Sequence, residues 1–135
     1  MLDIFNLEKQ AARRIRSFIE HLSTQENITP DSTRLVIKKS PVDPTVFLFN
    51  GNQFVKPLSI QQIVAYFGKE WDGEKQQAVN QYLEQLSTKL EIPVSEMNLV
   101  VCDHKGEIGA FVYHENRYIR KLPILDVFSH FYSRN

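Results

Sequence analysis

The 135-residue chain has one cysteine, Cys102. A lone thiol cannot close an intramolecular disulfide, so a small scaffold held together by bridges is excluded. Neither sign of charge is in excess. Sixteen Lys and Arg stand against sixteen Asp and Glu, which removes the strong positive field that non-specific polyanion binding relies on. No run of about 18 apolar residues exists to span a bilayer. The segment Met1-Leu2-Asp3-Ile4-Phe5 has no basic stretch leading into an apolar core, so a cytoplasmic protein without a membrane role is expected. Cys-x-x-Cys, His-Glu-x-x-His, Asp-rich and Gly-rich phosphate motifs are all missing, and no metal site or cofactor is expected.

What the chain does have is hydrophobic content of 42%, enough for a core at this length, and an internal echo. Phe18-Ile19-Glu20-His21-Leu22-Ser23-Thr24 lies over Tyr82-Leu83-Glu84-Gln85-Leu86-Ser87-Thr88, an offset of 82 − 18 = 64. The offset continues without a gap through Ile28/Ile92, Leu35-Val36/Leu99-Val100, Phe47/Phe111, Asn52/Asn116 and Leu58/Leu122 to Phe67/Phe131. Of the fifty pairs from 18/82 to 67/131, twelve are identical, whereas random pairing at average composition gives about three. The expected fold is therefore α+β: a tandem duplication of an α-β-β-β-α unit, one compact domain over 1–135 made of repeats at about 1–68 and 69–135. Antiparallel three-stranded meanders should pack on helices with pseudo-twofold symmetry.

Helical spacing of Ile4, Ala11, Ile15, Phe18, Ile19 and Leu22, and of Val79, Tyr82, Leu83, Leu86 and Leu90, predicts the two long helices. Leu35-Val36-Ile37 and Leu99-Val100-Val101 read as first strands. Val46–Phe49 and Ala110–Tyr113, apolar on both faces, read as central ones. Asp103-His104-Lys105-Gly106 suits a type I turn. Asn52 and Asn116 suit a left-handed position closing the next hairpin. Third strands should run into short helices, the first with a Ser59-x-x-Gln62 capping box and a Leu58–Ile63 staple. The order α-β-β-β-α is similar to that of double-stranded-RNA-binding domains, whose last helix opens with phosphate-gripping lysines. Here the corresponding helices open Ser59-Ile60-Gln61-Gln62 and Pro123-Ile124-Leu125-Asp126, so no membership follows.

Candidate chemistry is thin. Cys102 and His104, two apart on a strand, could form a thiolate–imidazole pair, and Asp126 and His130, one helical turn apart, an orienter and base. The simpler readings are a buried cysteine, a solvated turn histidine and a surface helix contact, so no catalytic residue is assigned. The repeats differ most at the first hairpin, Lys38–Asp43 against Cys102–Glu107, and along the first helix, where Arg13, Arg14 and Arg16 correspond to Gln77, Ala78 and Asn80. Lys38, Lys39, Arg13, Arg16, Asp103 and His104 are the binding candidates. The leading expectation is a non-enzymatic binding or adaptor protein with a protein partner or a second copy. One alternative is a small-molecule binder or enzyme using a cleft between the repeats. Another is a nucleic-acid module using the basic face of the first repeat, not favoured by the charge balance.

Overall fold

In the computed structural model the described residues are 4–39, 45–59, 73–124, 126 and 127. Helix α1 (Ile4–Glu26) precedes strands β1 (Thr33–Lys38), β2 (Thr45–Asn50) and β3 (Gln53–Leu58). Helix α2 (Gly73–Leu90) precedes β4 (Met97–His104), β5 (Glu107–His114) and β6 (Arg117–Leu122). No helix among the described residues is long and apolar enough to cross a membrane. The fold is α+β, as the sequence implies. The first-hairpin turn at 40–44, positions 60–63 of the capping box and staple, most of the second short helix, and His130 lie outside the described residues.

Each long helix buries the stripe its spacing predicts: Ala11, Ile15, Phe18, Ile19 and Leu22 on α1, and Val79, Leu83 and Leu86 on α2. Each ends in the same way. Asn27 (φ 58°) and Glu91 (φ 57°) turn left-handed. The Ile28 amide then donates to the Ser23 carbonyl (2.9 Å) and that of Ile92 to Ser87 (3.0 Å), while Asn27 and Glu91 donate to Thr24 and Thr88. This is the Schellman arrangement, in which an apolar residue just past the cap folds back on the last turn. It accounts for the shared Ile28 and Ile92.

The six strands form one antiparallel sheet in the order β3-β2-β1-β4-β5-β6. Two meanders thus join edge to edge through their first strands, with Val36 opposite Val100 and Leu35 opposite Val101. Adding 64 to both members of every β1–β2 and β2–β3 pair gives a β4–β5 or β5–β6 pair, and the register shifts at Leu48/Phe49 and Val112/Tyr113 also differ by 64. One face of the sheet, carrying Leu35, Ile37, Val46, Leu48, Leu99, Val101, Ala110 and Val112, packs with both helices into a single apolar cluster. Helix α1 contacts β5 as well as β1. Arg16 Nη2 donates to the Gly106 carbonyl (2.5 Å), and Lys39 pairs with Glu84 of α2 (3.2 Å). Each helix therefore reaches the other half's first hairpin or first strand.

Two turns differ from expectation. The left-handed residues of the second hairpins are Gly51 (φ 62°) and Glu115 (φ 57°), not the asparagines. The loops are two residues long, so the special conformation falls on the first loop position. Between β4 and β5, strand pairing extends to His104↔Glu107. That leaves Lys105 and Gly106, both at positive φ, as a two-residue loop of the twist-matched primed kind rather than a type I turn.

Candidate binding face

Strand alternation sends every second side chain away from the helices. On β2 those residues include Phe47 and Phe49, and on β5 they include Phe111 and Tyr113, all four half-buried. The outer strands add Phe54, paired with Phe49, and Tyr118, paired with Tyr113. These two are 53% exposed, the only large hydrophobic residues so exposed among those described. Their positions differ by 118 − 54 = 64.

The rings are packed, not scattered. Phe54 meets Phe47 at 5.9 Å and Phe49 at 5.7 Å, both edge to face. Tyr118 meets Tyr113 at 5.8 Å and Phe111 at 6.3 Å. Phe111 also takes the His104 ring at 6.0 Å and lies over Gly109, where a Cβ would fall 2.7 Å from its Cζ. Each outer ring is thus held from two sides.

Between the clusters, β1 and β4 place Arg34, Val36 and Lys38 beside Asn98, Val100 and Cys102. Lys121 on β6 donates to Glu107 Oε1 on β5 at 2.9 Å; that hydrogen bond, with the lysine's charge, holds the exposed Glu107 carboxyl below its usual range. Burial pushes the Cys102 thiol up, opposed by nearby Arg34 and reinforced by Asp103. Its free thiol is buried, a poor setting for a thiolate nucleophile.

The six candidate residues from the sequence do not form one site. Arg13 is exposed on α1, while Arg16 reaches the β4–β5 turn. Lys38 Nζ contacts the Ser95 carbonyl at 3.4 Å, and Lys39 turns to α2. His104 joins the aromatic face, whereas Asp103, on the helix side, keeps Oδ1 buried with no hydrogen-bond partner among the described residues. With Arg34 opposite Cys102, Lys38 and His104 stand at opposite ends of the sheet, roughly 20 Å apart at about 3.4 Å per residue.

Sequence reasoning misses the aromatic face. Its signal is nonetheless present: aromatics two apart in both second strands, and an aromatic 64 residues from each of Phe47, Phe49 and Phe54. The shared phenylalanines Phe47 and Phe111 invite assignment to the core, and they lie on the opposite face.

A second cluster brings Glu96, His114 and Glu115 together, one ligand atom from each within 4.8 Å. His114 Nε2 is 2.7 Å from Glu96 Oε1, so two of the three groups are already joined by a hydrogen bond. No family model, curated protein or solved structure matches the chain.

Proposed function

We propose that the protein is a non-enzymatic binding protein whose partner lies across the sheet face opposite the helices. One observation carries the reading: Phe54 and Tyr118 stay exposed at matching places on the outer strands, each braced by two further aromatic rings. Exposed aromatic surface of this kind marks an interaction site more often than a solvated sheet. A nucleophile activated for catalysis is not what the environment of Cys102 favours, since burial holds the thiol in its neutral form.

The chain is further read as a duplicated α-β-β-β-α unit folded into one body about a pseudo-twofold axis between Val36 and Val100. The constant offset of 64 in sequence, ladder register, bulge position and helix cap supports this. On that reading the two aromatic clusters are copies of one device, which gives the face two equivalent contact points.

A photo-cross-linking amino acid placed at position 54 or 118 should yield adducts in cell extract. The same group at exposed Gln10 on α1 should not. Adducts confined to position 10 would move function to the helices and sink this placement.

A further inference from the structure

We infer that the open face takes single-stranded nucleic acid, with bases stacked on Phe54 and Tyr118 and the backbone crossing Arg34 and Lys38 between them. This inference rests on the face being the binding surface. Stacking on an aromatic ring tolerates any base, because every base presents a π-face. The two exposed rings are fixed by their neighbours, so little freedom is lost when a base settles on them.

Charge selects the occupant. Among its described residues the face carries Arg34, Lys38 and Lys121 with His104, against one acid, Glu107, which Lys121 already holds. Net neutrality describes the whole chain, whereas among the described residues Glu107 is the one acid that the strand register puts on this surface. A second copy laid face to face about a twofold axis would bring like cations together near that axis. Phosphates meet them favourably.

Geometry selects the single strand. Strands β3 and β6 lie five spacings apart, about 24 Å at roughly 4.8 Å per spacing. An extended chain touching both rings must cross β1 and β4, where Arg34 and Lys38 stand. A duplex keeps its bases stacked within itself and offers none to the rings.

Fluorescence anisotropy with labelled oligothymidylate and oligouridylate of about 12 nucleotides, against duplex of equal length, tests the inference. The single strands should bind at least roughly tenfold tighter than duplex, and log affinity should fall against log salt with a slope of about −2, as two or three phosphate contacts require. Phe54→Ala and Tyr118→Ala should each weaken binding roughly five- to 150-fold, while Phe54→Trp retains it. Arg34→Glu with Lys38→Glu should flatten the salt slope, circular dichroism confirming the fold in every variant. No binding of either oligonucleotide up to about 100 µM overturns the inference; polypeptide adducts at 54 and 118 would then leave the face itself standing. Binding unchanged in the ring variants but lost in Arg13→Glu with Arg16→Glu would overturn both.

Discussion

Gly109 lies under the Phe111 ring so closely that an added Cβ would come 2.7 Å from Cζ and 3.0 Å from Cε2. Gly109→Ala must therefore displace the ring that braces Tyr118 and His104. A loss of about 1–3 kcal/mol is expected in urea denaturation, with part recovered in Gly109→Ala/Phe111→Leu. An unchanged midpoint would mean that the ring swings aside freely. Cys102 has its thiol raised mainly by burial. Its neutral form is favoured on folding, so that stabilisation is complete below the unfolded thiol's pKa and is lost as pH rises through the folded one. Iodoacetamide should modify the native protein more slowly than the urea-unfolded chain, with an alkylation midpoint above 9.0, the ordinary value. Tyr82 is pushed up to about 12 from 10.0, first by burial and then by the charge of Asp126. The sign is the same: stability is full below pH 10 and declines towards 12. Tyr82→Phe should flatten that alkaline decline, and a decline of equal steepness in both proteins would assign it to other groups.

At the scale of the element, the paired helix caps differ in one respect that has an energetic consequence. Asn27 tolerates a left-handed backbone, while Glu91 adopts it with a Cβ in the way. Glu91→Gly should stabilise the protein by about 0.5–1 kcal/mol in chemical denaturation, and the same change at Asn27 by less. A loss of stability at position 91 would mean that the glutamate side chain contributes more than its backbone costs. The helices were legible because burial follows a 3.6-residue stripe. Strand pairing was legible where the connections are short, at β2–β3, β4–β5 and β5–β6, because two-residue loops leave few registers open. Turn chemistry was legible only in part: which loop residue goes left-handed depends on loop length, and strand pairing through His104 shortened the loop below what its Asp and Gly suggest. The aromatic face was hidden for a physical reason. An apolar residue in a strand reads alike whether it meets the core or a neighbouring ring on the open side, so Phe47 and Phe111 carry no mark of their face.

For the whole molecule, the junction of β1 with β4 turns two small sheets into one wide enough to hold two aromatic clusters apart. Among the described residues the outer strands of the sheet are β3 and β6. Pro57 interrupts the hydrogen-bonding row of β3, and both outer ladders carry register shifts, devices that discourage further strand addition. Lys56 on β3 is tied to Glu26 at 2.6 Å. The central junction also governs the order of folding. Hairpin contacts on either side are local in the chain, but bringing Val36 opposite Val100 closes a loop of 100 − 36 = 64 residues. Local meanders can therefore form before they meet, and their meeting is the step that requires the long search. Closure entropy grows only with the logarithm of length, so about ten glycine and serine residues inserted near position 70 should change stability by about 0.1 kcal/mol. Refolding should slow correspondingly little. A loss of several kcal/mol would show that the segment joining the halves contributes packing of its own, and does more than connect two pieces that find each other through a valine pair.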